Sequence, residues 1–428
     1  MWLREHEHYQ IVQDSWNNNN RHLTEKLYNT LANLHSWGIK KFGNIPRKIK
    51  QTQEQFHHLT PQTSNISNMQ LIREKEKELD DLLQCEELWW SQRSRAMWLK
   101  HGDKNTSFFH QKANQRKRKN IIEHLMDDQG IQHYEHEKIE EILLKHFKNL
   151  FTSQDTSHIS RTVDVVKNTI TPEIYSHLGA EFTIEEVTEA ITSMKGLAAP
   201  GPDGLPAVFY HTYWDIIKHD VCKAALQVLN NGGDPSPYNQ TNICLIPKKK
   251  NPTLPSDFRP ISLCNVTLKV ITKTIANRLK GMLPEVISPN QSAFIPGRLI
   301  TDNTIVSYEV FNFFKQSKSN KGYIGIKTDM AKAYDRVEWI FLQTTLETIG
   351  FPQHLTNTIM QCVKTVNFSI LINGKTSQQF YPQRGLRQGD PLSPYIFIIC
   401  ANVFLNLITK AQQGKAIHGV KIAHEALK

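Results

Sequence analysis

Residues 323–337 constrain this chain more than any other stretch. A mostly apolar run over 323–326 drives toward a single carboxylate, Asp329, and a helix-like segment from Met330 to Val337 begins at once behind it. Such a run predicts a strand, and an acid at its end is predicted to sit at a sheet edge. Five residues past Asp329 comes an aromatic, Tyr334. Farther on stands the loop Arg384-Gly385-Leu386-Arg387-Gln388-Gly389-Asp390-Pro391-Leu392-Ser393-Pro394, whose Gly and Pro residues disfavour both helix and strand.

An acid at a strand end, an aromatic one helical turn later and a Gln-Gly loop together point to nucleotidyl transfer. In that chemistry a 3′-hydroxyl attacks an α-phosphate in line, and two divalent metals lower the hydroxyl's pKa and neutralise the leaving pyrophosphate. Such hard cations take carboxylate oxygens, shared by two or three acids. Taken alone, an Asp after a strand is more often a helix N-cap, and an aromatic at helical spacing is more often core.

Composition fits a soluble globular protein of two or three units: 428 residues, 39% hydrophobic and 21% charged. The most apolar stretch, 395–408, is interrupted by Asn402 and Asn406 and reads as too short to span a bilayer, so no membrane partner is expected. Six widely spaced cysteines form no CxxC pair, and neither a zinc site nor a disulfide framework is indicated. The net charge of +10 is concentrated: nine Lys/Arg face one Asp over 91–120, and eight face one Asp over 245–280. Clustered cations bind polyanions by counterion release, which favours nucleic acid over the alternative of two solvated helix faces.

Residues 1–65 are polar and rich in His and Asn, with an Asn run at 17–20. His6, His8, His57 and His58 lack a third ligand at metal spacing and read as surface residues. Residues 68–90 predict one long helix, dense in Lys and Glu with an apolar stripe at Leu71, Leu79, Leu82 and Leu83. Trp89, Trp90, Arg93, Arg95, Trp98, Phe108 and Phe109 follow, ahead of the basic run Arg116-Lys117-Arg118. Aromatics among cations stack on bases and grip phosphates; packing in a helical linker is the equal alternative. A helix is predicted over 171–179, and Thr183 with Glu186 predicts a capping box. Ala199-Pro200-Gly201-Pro202-Asp203-Gly204 predicts a tight loop, 243–246 a strand, 268–279 an amphipathic helix, and 368–380 a hairpin turned at Asn373-Gly374. Asp127-Asp128 precedes a Gln-Gly pair and reads as a turn.

The segments 326–337 and 384–394 resemble the third and fourth blocks of reverse transcriptases, specifically those of plant non-LTR (LINE-type) retrotransposons. Leu245-Ile246-Pro247-Lys248-Lys249-Lys250 with Asp257-Phe258-Arg259-Pro260 resembles the first block, and Gln291-Ser292-Ala293-Phe294-Ile295-Pro296-Gly297-Arg298 a further block typical of non-LTR enzymes. The resemblance is weak over 1–65, clear over 85–130 and strong over 181–400. A group II intron maturase is a competing likeness, against which the 199–204 loop and the Trp-rich linker speak.

The resemblance implies an α+β fold, with reverse-transcriptase fingers and an incomplete palm preceded by a mostly helical linker. It divides the chain into a post-endonuclease tail over 1–65, a helical basic linker over 66–180 and the polymerase over 181–428. It makes Asp329 the catalytic, metal-binding aspartate, with the Met330 carbonyl as a backbone ligand. Tyr334 becomes the aromatic beneath the incoming sugar, and Gln388-Gly389 the loop against nucleotide and template base. Lys248 and Arg259 are expected on the triphosphate. Arg298, Arg93, Arg95, Arg116, Lys117 and Arg118 are expected on nucleic acid. Mg²⁺ (or Mn²⁺), deoxynucleotides, an RNA template and a DNA primer or target are implied, in an intracellular setting, nuclear or cytoplasmic. The family's aromatic-Ala-Asp-Asp turn is expected after 419–422 and is absent, as is an upstream endonuclease. The chain is therefore expected to be inactive alone, with a non-catalytic RNA- or DNA-binding remnant as the alternative.

Overall fold

The computed structural model describes residues 2–17, 22–59, 66–94, 106–154, 156–317 and 322–420. The chain forms two compact units. The first comprises Met1–Glu123 with Thr212–Ile217 and Ile246–Thr253; the second comprises His124–His211, Lys218–Leu245 and Leu254–Lys428. The break at Glu123 falls inside the stretch read as one basic linker.

The first unit is helical, built on Glu7–Asn17, Leu23–Phe42, Ile45–Leu59, Ile66–Ser94 and Thr106–Asn120. Val12 and Trp16 on one helix and Leu23, Leu27 and Leu34 on the next recur at helical spacing and are buried, so each buries a single stripe. Gly38 lies beneath Trp2, where a Cβ would come within 2.8 Å of the indole. Lys41 pairs with Glu5 at 2.8 Å and Glu7 at 2.9 Å. The long helix Ile66–Ser94 is wider than the predicted 68–90, and its leucine stripe is only partly covered: Leu71 is exposed, and Leu79, Leu82 and Leu83 are half-buried.

The second unit combines helices with a four-stranded sheet. A small hairpin pairs β1 (Leu125–Met126) with β2 (Gln132–His133). The Asp127 carboxylate accepts the Gln129 and Ile131 amides, both at 2.9 Å, and Gly130 turns with φ 81°, so this acid pair is a turn as its sequence predicts. In the sheet, β3 (Gln240–Pro247), β4 (Phe258–Cys264), β5 (Asn367–Ile372) and β6 (Lys375–Thr376) run in the order β4-β3-β5-β6. β3 pairs parallel to β5 from Gln240 opposite Asn367 to Cys244 opposite Leu371. β5 turns back on β6 through Asn373 (φ 50°) and Gly374 (φ 93°), the two positive angles a type I′ turn requires.

Helix Val266–Val286, longer than the predicted 268–279, buries 14 of its 21 residues, more than a single amphipathic face. Its Arg278 reaches the predicted capping box of helix Ile184–Thr192. Thr183 and Glu186 exchange bonds of 2.9 and 3.3 Å, and Arg278 grips the Glu186 carboxylate at 2.6 and 2.8 Å while lying 3.6 Å over the Phe182 ring. Helix Ser393–Gln413 is long and apolar enough to cross a membrane by length and composition, exceeding the 395–408 estimate. Ile396, Ile399 and Val403 are buried in the unit's core, and Asn402 accepts the Ser288 amide at 3.1 Å.

The strand predicted ahead of Asp329 is not formed. Residues 322–330 carry no regular structure, and Ile324 and Ile326 are each 83% exposed. A strand exists only by pairing its amides and carbonyls, and none of the sheet's strands bonds to this segment. It lies instead against helix Ile300–Gln316: Tyr323 stacks on Phe314 at 5.1 Å, and Gly325, without a Cβ, lies flat under Phe311.

Candidate functional site

In the second unit, two segments distant in sequence meet. The Gly385 amide donates to the Val337 carbonyl and the Leu386 amide to the Tyr334 carbonyl, both at 2.8 Å. The Trp339 indole N–H donates to the Gly385 carbonyl at 2.8 Å. Gly385 adopts φ 96°, and a Cβ there would stand 2.9 Å from the Asp335 carbonyl, so only glycine permits this approach. Alongside, Glu338 pairs with Arg384 at 3.0 Å, and Arg384 Nε donates to the Leu150 carbonyl at 2.9 Å.

Behind the junction, Arg387 is buried. Its guanidinium pairs with Asp390 at 2.5 Å and donates to Asn239 Oδ1 and to the Cys362 carbonyl, the latter at 3.1 Å. Asn239 Nδ2 donates in turn to the Cys362 carbonyl and Thr365 Oγ1, both at 2.8 Å. Asp390 Oδ1 accepts the Leu392 amide at 2.9 Å. Burial is the largest single influence on Arg387 and opposes its charge, but Asp390 together with the neighbouring Cys264 and Cys362 outweighs it and holds the guanidinium above its ordinary pKa. Burial pushes the neighbouring Cys362 thiol up to about 12, so it is a neutral packing group and not a nucleophile.

This buried frame fixes the residues between its two charges. The Gln388 carbonyl accepts the Ser262 amide of β4 at 2.8 Å, and Gly389 (φ 119°) lies so close that a Cβ would be 2.9 Å from the Ser262 carbonyl. Gln388 is half-buried and Gly389 exposed. Arg259 stands three residues before Ser262 on β4 and alternates to the exposed side between buried Phe258 and Pro260. Three strand residues span roughly 10 Å. Tyr334 is half-buried, stacks on Phe397 with ring centres 4.6 Å apart at 15°, and is kept protonated by burial, which raises its pKa. The structure thus brings Tyr334, Gln388, Gly389 and Arg259 onto one connected framework.

Asp329 and Met330 are not drawn into it. Both are exposed in the irregular segment, and the sheet-edge position predicted for the carboxylate is not realised. A divalent-ion pair needs several hard oxygens in one place. Among the described residues no group of three or more His, Cys, Asp and Glu is gathered to hold a metal ion, so the arrangement does not fit the two-metal centre.

Arg298, expected on nucleic acid, is held within its own loop. Rather than reaching out, its guanidinium donates to the carbonyls of Pro284, Ile287, Ser288 and Gln291. Lys248 is exposed just past β3, within the first unit. Arg93 lies 3.3 Å over the Trp89 ring, the Trp90 and His110 rings meet tilted by 33° with centres 3.6 Å apart, and Lys112 lies 5.7 Å over Phe108. Phe109 is the buried aromatic of this block. Arg116, Lys117 and Arg118 are exposed near the end of helix Thr106–Asn120; Lys117 and Arg118 lie in its last turn, where cations also complement the helix dipole, and Arg116 Nη1 donates to the Ser94 carbonyl at 3.2 Å. Arg95, Trp98 and residues 421–422 lie outside the described residues.

Two features escaped the sequence reading. The Arg387–Asp390 pair and Asn239 leave only a weak signal, opposite charges three apart flanking Gln388-Gly389. Asp203 sits in the 199–204 loop, where a Cβ on Gly201 would collide with Asn265 and the Asp203 amide donates to Asn265 Oδ1 at 3.1 Å. Burial pushes its carboxyl up to about 6.

Residues 246–424 match the family described as reverse transcriptase (RNA-dependent DNA polymerase). The chain is 27% identical over 327 residues to an uncharacterised 149 kDa protein of a Xenopus laevis transposon, covering 75% of this chain and 24% of that protein. It is 27% identical over 224 residues to the RNA-directed DNA polymerase from the mobile element jockey of Drosophila melanogaster, covering 51% of this chain and 24% of the relative. An uncharacterised mitochondrial protein of Arabidopsis thaliana is 43% identical over 56 residues, 13% of this chain and 46% of that protein. The chain spans about a quarter of the length of the first two of these relatives.

Proposed function

We propose, taking residues 246–424 as a reverse transcriptase domain, that this chain is the nucleic-acid-holding part of an RNA-directed DNA polymerase from a plant non-LTR retrotransposon. In this reading residues 181–428 supply fingers and part of a palm. Template RNA and a DNA primer lie along the surface that carries Arg259, Gln388 and Gly389. Tyr334 sets the floor under the incoming deoxynucleotide, and the basic helix end at Arg116, Lys117 and Arg118 grips backbone phosphates. Reverse transcriptases use divalent ions such as Mg²⁺, which supply charge neutralisation at the transferred phosphate. The protein acts inside the cell, in nucleus or cytoplasm, where its template and target reside.

The observation that carries this reading is the union of residues 334–337 with 385–386 by two amide bonds, which sets Tyr334 and Gln388 on one scaffold. The Gln388 carbonyl in turn accepts the Ser262 amide, which ties this scaffold to the strand that bears Arg259. The exposed position of Asp329 supports the second half of the proposal: this chain by itself binds template and primer without extending the primer.

Binding is tested with a labelled oligo(rA)·oligo(dT) hybrid by fluorescence anisotropy across a salt series. The expected result is affinity that falls linearly in log K against log salt. No measurable affinity at low salt overturns the proposal.

A further inference from the structure

Residues 288–298 form a loop at the C-terminal end of helix Val266–Val286, wound around one side chain. Arg298 Nη1 donates to the Ser288 and Gln291 carbonyls at 2.6 and 2.7 Å, and Nη2 to those of Pro284 and Ile287 at 3.0 and 3.2 Å. The Pro284 carbonyl belongs to the last turn of the helix, where carbonyls lack intrahelical donors, and the other three lie just beyond it; the Ser288 carbonyl also accepts the Gln291 amide at 3.1 Å. Gln291 Oε1 accepts the Ala293 amide at 3.1 Å, Ile295 is buried at 4% exposure, and Gly297 turns with φ 77°.

Phe294 breaks two rules in this frame. Its φ is +58°, a left-handed conformation in which a bulky side chain crowds its own backbone. Its ring is also 60% exposed, so the aromatic surface is not repaid by burial. The fixed residues on either side hold the strain in place: Ile295 points inward, and the ring points out. A strained residue displaying an apolar ring on a rigid loop gains its compensation from something outside the molecule.

The charge in the same loop says what kind of ligand fits. All four partners of Arg298 are neutral carbonyls, and among the described residues no carboxylate forms an ion pair with it. The loop therefore couples a flat exposed ring to an uncompensated cation. An apolar protein surface would take the ring and pay to bury the charge. An unpaired nucleobase takes both: its face stacks on the ring and its phosphate is drawn to the cation.

We infer that Phe294 is a stacking platform for a base of single-stranded nucleic acid, held in its outward pose by the Arg298 clamp. The inference rests on the reading of the chain as a polymerase domain and adds to it a base contact on the 288–298 loop. The test compares labelled oligo(rA) with polyphosphate, a polyanion without bases, on the wild-type chain and on Phe294→Ala, Phe294→Leu and Phe294→Trp. Removing one stacked base contact lowers affinity by about tenfold. Phe294→Ala and Phe294→Leu are expected to weaken oligo(rA) binding by that factor at every salt concentration, with the salt slope unchanged. Phe294→Trp is expected to retain it, and polyphosphate binding is expected to be equal in all four proteins. Because the ring is exposed, none of the variants should melt below the wild type. Equal oligo(rA) affinity in wild type and Phe294→Ala overturns the inference alone, and points to a protein partner for the ring. Equal losses for oligo(rA) and polyphosphate also overturn it, since the loop rather than a base contact would then be at fault. Failure of the wild-type chain to bind oligo(rA) or the hybrid at all overturns both readings.

Discussion

The Leu386 amide donates to the carbonyl of Tyr334 at 2.8 Å, and through that bond two segments far apart in sequence become one surface. Tyr334 carries the ring expected under a nucleotide sugar; Leu386 leads, two residues on, to Gln388. The second rung, from the Gly385 amide to the Val337 carbonyl, exists only because residue 385 has no side chain.

Gly385→Ala is therefore expected to destabilise the chain by about 1–3 kcal/mol, from the left-handed strain and the clash with the Asp335 carbonyl. Gly374→Ala carries the same left-handed strain but meets open space, and should cost less, about 1–2 kcal/mol. Urea denaturation of the two variants compares them directly. Equal losses would show that the 385 junction is not tight.

The Arg387–Asp390 pair is fully enclosed, so the two single substitutions should hurt more than the double. Arg387→Met leaves Asp390 uncompensated and is expected to cost about 3–5 kcal/mol. Arg387→Met combined with Asp390→Leu removes both charges and should recover part of that loss. A double-mutant cycle by equilibrium unfolding checks it; simple additivity would mean the two residues do not act as a pair.

Asp203 should make stability fall as pH rises. Its folded carboxyl titrates at about 6 against an unfolded value near 3.8. The folded state binds the proton more tightly, so the stabilisation is full below pH 4 and lost progressively up to pH 6. Asp203→Asn keeps an oxygen to accept the Leu205 amide and removes the titration. Melting temperatures of the variant are expected to be higher than those of the wild type at pH 7 and to lack its decline between pH 4 and 6. Parallel curves would assign the pH dependence elsewhere.

Much of the local structure was legible because local chemistry decides it. Thr183 and Glu186 announce a cap, Asn373-Gly374 a hairpin turn, and Asp127 through Gly130 a turn, and each folds as its residues dictate. The segment before Asp329 was misread because strand formation is not local. Its apolar residues satisfy the pattern, but a strand also needs a hydrogen-bonded neighbour, and Gly325 and Tyr323 find helix Ile300–Gln316 instead. The sequence gives the charge of Arg298 but not the four carbonyls around its guanidinium, which come together only in the folded loop. Arg387 and Asn239 were missed for the same reason: burial of a polar group is visible only once the partner, 148 residues away, is in place.

Replacing Arg116, Lys117 and Arg118 by Gln should flatten the salt dependence of RNA binding. Each lost phosphate contact lowers the log–log slope by about 0.7 on a single strand, so the triple variant is expected to lose up to about 2. Anisotropy titrations with oligo(rA) over a salt series measure it. An unchanged slope would remove this helix end from the nucleic-acid surface.

The central claim is that the chain holds a primer on its template without extending it. It is tested most directly by incubating the chain with poly(rA), end-labelled oligo(dT), dTTP and Mg²⁺, capturing the complex, and resolving the captured primer on a denaturing gel beside an Asp329→Ala control. The account predicts labelled primer in the captured fraction, at its original length in both proteins. Extension above the Asp329→Ala level, or no captured primer, would contradict it.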